Sequence, residues 1–335
     1  MVARSATGCQ TALWKQDMAD AFSAVDALLQ SLALDRRDIP DLDPNPNAFR
    51  MLVPRGFAAL MQPGDPDDPL LRQVLPRLVE HACVPGYVLD PVGDAAAGLD
   101  QGLIRKYTGR VLLMASGACA IHCRYCFRRH VQFSALGALA PRLAAAIARI
   151  ADDPTLSEVI LSGGDPLMHD DDQLDALIAR LDAIGHLQRL RLHSRLPVVL
   201  PARITERLCA RLADSRLVPV LVIHVNHANE LGQAAAEALR RLTAAGVTLL
   251  NQSVLLRGVN DDASRLIQLS ERLFACGALP YYLHQLDPVQ GAAHFQVSDA
   301  EASGLIDALR AQLPGYLVPR LVREVPGADA KRPIN

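Results

Sequence analysis

The stretch "RVLLMASGACAIHCRYCFRRH", residues 110–130, joins an apolar run of strand length to a loop that holds three cysteines. These cysteines are Cys119, Cys123 and Cys126, and their spacing is C-x3-C-x2-C. Thiols this close in sequence cannot bridge one another comfortably, which argues against a disulfide framework. Clustered thiols in a reducing compartment instead favour a metal centre. The stretch therefore predicts a β-strand that ends at a metal-binding loop.

The run at Arg110 is the first of six strand-like runs that alternate with amphipathic stretches. Between the runs, Leu, Ile and Ala recur at steps of three to four residues, which predicts helices. A last helix follows the sixth run, with Ser298 and Glu301 as its capping box. This alternation predicts an α/β fold with a parallel sheet that is covered on both faces. The six runs begin at Arg110, Glu158, Arg189, Pro219, Val247 and Leu279.

Periodicity leaves open whether the sheet curls into a partial barrel or stays an open, doubly wound layer. Both architectures place their chemistry at the carboxyl ends of the strands, where the loops gather. The chain has chemically useful residues near those predicted ends: Cys119, Gly163, Ser194, His224, Gln252 and Asp287. We therefore expect these residues to converge on one edge of the sheet.

Composition indicates a cytoplasmic enzyme rather than a secreted, membrane or nucleic-acid-binding protein. The 335 residues are 50% hydrophobic, and 34 Lys plus Arg nearly balance 36 Asp plus Glu. This balance gives no field that would attract polyanions or membranes. No signal peptide or membrane-spanning run is visible. The four other cysteines are scattered and are interpreted as ordinary residues: Cys9, Cys83, Cys209 and Cys276.

Three regions are expected along the chain. Residues 1–105 carry many Pro and Asp between short apolar pieces, which predicts a mostly helical N-terminal extension. Residues 106–315 hold the strand–helix repeat. Residues 316–335 form a short C-terminal segment that ends in "GADAKRPIN".

The three clustered thiols admit three interpretations. Three thiolates on a four-iron cube would leave one iron open, and thiolates are the ligands that iron–sulfur clusters use. A structural zinc site would need a fourth ligand, such as His122 or His130. A redox pair of Cys123 and Cys126 is the third possibility. The absence of a second C-x2-C pair favours the cluster over zinc.

The cysteine spacing, placed after the first of six strand–helix units, resembles that of the radical S-adenosylmethionine (radical SAM) enzymes. The resemblance implies a partial (β/α)6 radical SAM barrel and a 4Fe-4S cluster on the three cysteines. It also implies that S-adenosylmethionine binds the open iron and is cleaved to a 5'-deoxyadenosyl radical. "SGGDPL" at residues 162–167 resembles the second signature of that superfamily, so the implied contacts to S-adenosylmethionine are Gly163, Gly164, Asp165, His224 and Gln252.

Five further motifs resemble the lysine 2,3-aminomutases: "LIRKYTGRVLL", "CRYCFRRH", "HSRLPVVLPARIT", "LLNQSVLLRGVND" and "PYYLHQLD". That family also uses pyridoxal 5'-phosphate, and the resemblance implies that Lys331 bonds to it. Its phosphate is then expected at Lys106, Tyr107 and Arg110. The family has a glycine-rich run before the lysine, whereas this chain has Pro326 and Gly327 followed by Ala-Asp-Ala.

The resemblance also assigns the residues that hold the substrate. Arg128 is expected to bind the carboxylate of L-lysine. The side-chain ammonium needs acidic partners once it leaves water, and Asp287 and Glu324 fall at the matching positions. Glu324 stands where the family usually has Asp, and it lies seven residues before Lys331. An acid pair argues against an acidic substrate.

Within the family, the chain resembles the bacterial branch that makes (R)-β-lysine for modification of elongation factor P. No cysteine follows Cys276, so we expect no zinc-binding tail of the kind found in catabolic relatives. The implied partners are a flavodoxin- or ferredoxin-type reductant, elongation factor P and its lysyl ligase, and a homo-oligomer is possible. The alternatives are a catabolic lysine, glutamate or arginine aminomutase, and, from another class, a zinc-binding protein without catalysis.

Overall fold

A computed structural model describes residues 6–43, 49–99 and 102–334. One nine-stranded sheet organises the molecule, and its strands are neighbours in the order in which they occur along the chain. The first and last pairs are antiparallel, and every pair from β2 to β8 is parallel. The strands are β1 (Leu103–Ile104), β2 (Arg110–Ser116), β3 (Glu158–Gly163), β4 (Arg189–Ser194), β5 (Val218–Ile223), β6 (Thr248–Val254), β7 (Ala278–His284), β8 (Arg320–Arg323) and β9 (Arg332–Pro333).

Helices follow the parallel strands as crossover connections. Each of the six long ones presents buried aliphatic side chains to the sheet. The helices of this part are α5 (Leu139–Ala151), α6 (Asp171–Asp182), α7 (Leu196–Val199), α8 (Glu206–Ala213), α9 (Gln233–Ala244), α10 (Ala263–Ala275) and α11 (Asp299–Gln312). The predicted capping box at the start of α11 is present, since Ser298 and Glu301 cap each other's backbone.

The sheet is open, because β1 and β9 form its two edges and do not pair with each other. The predicted α/β class and the partial barrel are confirmed. The open doubly wound alternative is wrong, because sequential strand order does not reverse at any point as a doubly wound sheet requires.

The N-terminal region is built from short helices separated by turns: α1 (Ala6–Ala19), α2 (Val25–Ser31), α3 (Arg55–Ala58) and α4 (Pro69–Arg72). Its apolar side chains, including Trp14, Phe57 and Leu71, belong to the same buried cluster as the leucines of the barrel strands. The N-terminal region is thus packed directly on the barrel. No helix in the described ranges is long and apolar enough to cross a membrane.

Candidate active site

The loop after β2 carries the three cysteines, and all three thiols are free and only partly exposed. Burial, together with the neighbouring Cys126 and Cys123 thiols, raises the pKa of Cys119. Burial also raises the pKa of Cys126 to about 11. Thiols in such a place become thiolates when a metal supplies the compensating positive charge. The donor set therefore fits a metal cluster rather than a free reactive thiol.

The N-terminal region holds this loop in place through hydrogen bonds to its backbone. The His122 amide donates to the Leu52 carbonyl at 3.0 Å, and the Arg124 amide donates to the Gln73 carbonyl at 2.8 Å. The Arg124 guanidinium adds two bonds to the Glu80 carboxylate, at 2.8 and 2.5 Å. The loop is consequently fixed by contacts that are remote in sequence.

The two histidines considered as zinc ligands are occupied elsewhere. His122 Nδ1 lies 2.8 Å from the Arg50 carbonyl oxygen and its ring stacks on Phe49. His130 Nε2 lies 2.9 Å from the Gln290 carbonyl oxygen. Across the part of the chain that the structure describes, no three His, Cys, Asp or Glu side chains are grouped so that they could hold one metal ion. A four-iron cluster makes a different demand, because each thiolate binds its own iron.

Gly163 and Gly164 lie where β3 ends and press against the start of the cysteine loop. The Gly164 amide donates to the Ser116 carbonyl at 2.8 Å. A Cβ on Gly163 would lie 2.2 Å from the Ser116 carbonyl oxygen, and one on Gly164 would lie 2.3 Å from that of Ala118. Only glycine permits this approach. The pair thus brings the two predicted signatures into direct contact.

Asp165 is buried, and its carboxylate binds the protein rather than open space. It accepts from the Leu167 amide at 2.9 Å, the Ser194 hydroxyl at 3.0 Å and the Arg195 amide at 2.8 Å. Burial raises the pKa of Asp165 to about 6, and these donors counteract the rise. The side chain therefore ties the ends of β3 and β4 together.

His224 follows β5 and lies in a buried polar network. Its Nε2 is 2.8 Å from the Tyr125 hydroxyl. Burial and the nearby Arg195 guanidinium lower the pKa of His224 to about 3, so the imidazole is neutral. Gln252, the other expected contact, lies within β6, two residues before the end of that strand, and is partly exposed.

The C-terminal segment brings Lys331 into the mouth of the barrel. Its Nζ lies 2.7 Å from Glu324 Oε2. The other carboxylate oxygen, Glu324 Oε1, accepts from the Tyr107 hydroxyl at 2.8 Å and lies 3.6 Å from Lys106 Nζ. Lys331 Nζ also sits 5.9 Å from the centre of the Tyr282 ring. Four of the predicted site residues are therefore neighbours, although they come from opposite ends of the sheet.

Asp94, which sequence reasoning missed, joins this group to the cysteine loop. It is 2% exposed, and its two oxygens bind Lys106 Nζ and Arg128 Nε, each at 2.8 Å. Arg128 Nη1 also donates to the Ser162 hydroxyl, beside Gly163, at 3.3 Å. These contacts form a continuous path from the C-terminal lysine to the end of β3. Asp94 stands in "VGDAAAG", a stretch without any pattern that would mark it as functional.

Two predicted residues have charges left open to a ligand. No protein donor in the described ranges reaches the Asp287 carboxylate; burial raises its pKa to about 7, and nearby Lys331 limits the rise. Arg110 stacks on the Tyr107 ring at 4.7 Å, and no carboxylate in the described ranges pairs with it. Asp287 thus lies near Lys331, and Arg110 lies on the ring of Tyr107, which bonds to Glu324.

Two buried imidazoles lie inside the barrel between these groups. Their Nε2 atoms have no hydrogen-bond partner, and they belong to His193 on β4 and His284 on β7. Burial lowers the pKa of both, and for His284 the charge of Lys331 adds to the effect. His284 thus lies within electrostatic reach of the lysine.

Comparison with known proteins identifies the family. Residues 114–269 match the model of the radical SAM superfamily. L-Lysine 2,3-aminomutase from Escherichia coli is 47% identical over 325 residues, covering 96% of this chain and 94% of the relative. The protein of the same name from Haemophilus influenzae is 45% identical, with 95% and 94% covered. The one from Clostridium subterminale is 34% identical, with 96% of this chain and 77% of the relative covered.

The chain belongs to the L-lysine 2,3-aminomutase family. Membership of the radical SAM superfamily implies a 4Fe-4S cluster and S-adenosylmethionine, and the three free thiols beside the glycine pair fit that requirement. The fit of pyridoxal phosphate rests on other residues. An amine at Lys331 and an unpaired guanidinium at Arg110 are the groups that its aldehyde and its phosphate would need.

Four residues that build the site were assigned no role from the sequence. Asp94 and Glu80 bind the arginines of the cysteine loop, and Gln73 and Arg195 form the network behind it. The signal that could have found them is weak, because each is a single polar residue whose partners lie far away in sequence.

Proposed function

We propose that the protein converts L-lysine into (R)-β-lysine, using a 4Fe-4S cluster, S-adenosylmethionine and pyridoxal 5'-phosphate. The observation that carries this proposal is the contact of Lys331 with Glu324, near the open carboxylate of Asp287, on the chain of contacts that runs through Asp94 and Arg128 to the end of β3. When bound, the cluster and S-adenosylmethionine supply a radical that removes hydrogen, and pyridoxal phosphate carries the nitrogen that migrates.

The cysteine side of the mouth would hold the radical source. Cys119, Cys123 and Cys126 are the proposed cluster ligands. Backbone groups at Gly163 and Gly164, together with His224 and Gln252, are the proposed contacts to S-adenosylmethionine. The Asp165 carboxylate already accepts hydrogen bonds from three protein donors. Its proposed contribution is therefore to position the ends of β3 and β4 rather than to bind S-adenosylmethionine through its side chain.

The opposite side would hold the second cofactor. Lys331 provides the amine for the aldehyde, and Arg110 provides a guanidinium suited to the phosphate. Lys106 and Tyr107 lie next to Glu324 and complete the set. Their present carboxylate partners hold them in place near the mouth.

The substrate would be held at its two charged ends. Arg128, fixed by Asp94, is the proposed partner of the substrate carboxylate. Asp287 and Glu324 are the proposed partners of the side-chain ammonium, whose desolvation demands negative charge. Both acids lie near Lys331, so negative charge is already placed where the side-chain ammonium of the substrate would be held. The protein's work is to position these groups and to exclude water from the radical.

The decisive assay uses anaerobically purified, reconstituted protein with labelled L-lysine, S-adenosylmethionine, pyridoxal phosphate and a reductant. We expect β-lysine of the R configuration, resolved by chiral chromatography, and little turnover of L-glutamate or L-arginine. Conversion of either of those in place of lysine would identify another aminomutase. Zinc with neither iron nor sulfide in the purified protein would favour a non-catalytic zinc-binding protein instead.

The product is proposed to serve the modification of elongation factor P. This proposal is supported by the resemblance of the chain to the bacterial branch that makes (R)-β-lysine for that modification. The test compares the intact mass of elongation factor P from cells with and without the gene. Loss of the β-lysyl mass, restored by wild-type protein and not by Lys331→Ala, is the expected result. An unchanged mass would refute the link while leaving the enzymatic proposal intact.

A further inference from the structure

Arg195, the residue directly after β4, touches a sulfur of the cysteine loop. It is 6% exposed, and its Nη1 lies 2.7 Å from Cys123 Sγ. The same nitrogen donates to the Tyr125 hydroxyl at 2.9 Å, and that hydroxyl is bonded to His224. The guanidinium thus contacts a proposed cluster ligand and, through one phenol, a proposed S-adenosylmethionine contact.

The orientation of this guanidinium is fixed from its other side. Nη2 donates to Glu230 Oε2 at 2.9 Å and to Gln73 Oε1 at 2.7 Å. Glu230 and Gln73 are fully buried, and they also bond to each other at 3.0 Å. The Arg195 amide is tied to Asp165 at 2.8 Å. Because the backbone of Arg195 and its Nη2 are both held, the planar guanidinium can present only its Nη1 to the sulfur.

Charge decides what such a contact does to a cluster. A cluster gains negative charge when it is reduced, so a cationic donor at a ligand sulfur stabilises the reduced form more than the oxidised form. Hydrogen bonds to ligand sulfurs and local charge are among the features that set cluster reduction potentials. The Glu230 carboxylate compensates the energetic cost of burying the Arg195 charge. It bonds to Nη2, whereas the sulfur is contacted by Nη1.

We propose that Arg195 is a positioning residue that holds the Cys123 thiolate and raises the reduction potential of the cluster. This inference rests on the proposed function, because it takes Cys123 as a cluster ligand. Gln73 extends the same role to the N-terminal region, since it aligns the guanidinium from a segment outside the barrel.

The first test replaces Arg195 by lysine, which keeps a charge for Glu230 but loses the fork. Arg203→Lys is the matched control: Arg203 is fully buried, and it bonds to Asp171 and to the Leu167 and His169 carbonyls. Both proteins are reconstituted anaerobically, assayed for iron and sulfide, and titrated electrochemically with EPR detection. We expect Arg195→Lys to lower the ratio of reduced to oxidised cluster at a fixed potential by about tenfold. This corresponds to a midpoint potential that is lower by about 59 mV for a one-electron couple. Arg203→Lys should match wild type.

The second test guards against misfolding. The double variant Arg195→Gln/Glu230→Gln leaves no buried unpaired charge, and it is compared with Glu230→Gln alone. A lower midpoint potential, or lower iron uptake by a folded double variant, supports the proposal. Full iron with unchanged midpoint and EPR signal in both Arg195 variants overturns it, as does an equal shift in Arg203→Lys. Full iron in Cys123→Ala would instead refute the proposed ligand set.

Discussion

At the scale of single residues, the lysine count makes the cofactor assignment unusually testable. The sequence contains three lysines, Lys15, Lys106 and Lys331. Lys15 is exposed and pairs with Asp170 on the outside of the molecule, and Lys106 is held by Asp94 and the Val92 carbonyl. Lys331 has a single carboxylate partner at the mouth. It is the lysine best placed to react with an aldehyde.

We therefore expect Lys331→Ala to lose the visible absorbance of a pyridoxal group bonded to the protein. Lys15→Ala is the matched control and should retain that band and full turnover. The measurement is the absorbance spectrum after dialysis against pyridoxal phosphate, followed by borohydride reduction and peptide mass analysis. A reduced cofactor on a peptide containing Lys106 would contradict the assignment.

Asp287 should control the response of lysine use to pH. Its pKa of about 7 means that the carboxyl is largely protonated below neutrality and cannot then balance the substrate ammonium. We expect kcat/KM for L-lysine to rise as the pH increases through about 7. Asp287→Asn should lower kcat/KM by about 10- to 100-fold and remove this limb, because it removes a charged hydrogen bond.

The control for Asp287 is Asp307→Asn, since Asp307 is exposed on α11 and pairs with Arg310. Its pH profile should match wild type. An Asp287→Asn enzyme that keeps the acidic limb would remove this carboxyl from the substrate site. The raised pKa has a second consequence, since stability contributed by Asp287 falls as the pH rises from about 4 towards 7.

The structure places Lys331, Glu324, Lys106 and Tyr107 near one another, and their roles in the site stay predictions. Residue-level prediction from sequence named all four. It failed for Asp94, which lies in an alanine-rich turn and acquires its role from two basic residues distant in the chain. Contacts of that kind are set by the fold and leave no local pattern.

At the scale of elements, the long parallel strands were predictable because each contains at least two apolar residues, one or more of them buried, within a run of six or seven. The observed β2 and β4 match the predicted runs residue for residue. The strands β1, β8 and β9 were not predicted, since they have only two to four residues. Their pairing comes from the neighbouring strand rather than from their own sequence.

The contact between the end of β3 and the cysteine loop depends on a missing side chain. A methyl at Gly164 would lie 2.3 Å from the Ala118 carbonyl oxygen, so the backbone just before Cys119 would have to move. We expect Gly164→Ala to reduce iron uptake by more than half and to lower the thermal midpoint. Iron per chain and circular dichroism melting are the measurements.

Gly304 offers a matched control for that substitution. It lies within α11, and a Cβ there would meet nothing within 4 Å. Gly304→Ala should therefore stabilise the protein by about 0.5–1 kcal/mol through helix propensity, with iron uptake unchanged. If Gly164→Ala also bound full iron, the close approach of the two signatures would not be needed for the cluster.

At the scale of the whole molecule, the N-terminal region and the barrel act as one structural unit around the cysteine loop. The sequence predicted a boundary near residue 105, because Pro and Asp become less frequent after it. It could not predict that the earlier region would supply Gln73 and Glu80 to the loop. In the sequence, no local pattern distinguishes these two residues from other polar residues, because their partners are brought near only by folding.

Glu80 is a buried electrostatic link between the two parts. Its side chain is 4% exposed, and one oxygen, Oε2, lies 2.5 Å from Arg124 Nη2 and 2.6 Å from Arg129 Nη2. Arg124 follows Cys123 directly and Arg129 lies three residues after Cys126, so the acid fixes the cysteine loop from outside the barrel. Burial disfavours the Glu80 charge, yet the two arginines hold the pKa of this carboxyl below its usual value.

Removing this acid should therefore leave two buried guanidinium groups without their partner. We expect Glu80→Ala to lower the free energy of unfolding by about 3–5 kcal/mol, the usual cost of an uncompensated buried charge. Iron uptake should fall with it, because the cysteine loop loses its anchor. The control is Glu271→Ala, an exposed position on α10 that should change stability by less than about 0.5 kcal/mol. Urea unfolding followed by circular dichroism measures both, and a loss below about 1 kcal/mol in Glu80→Ala would show that this acid does not anchor the cysteine loop.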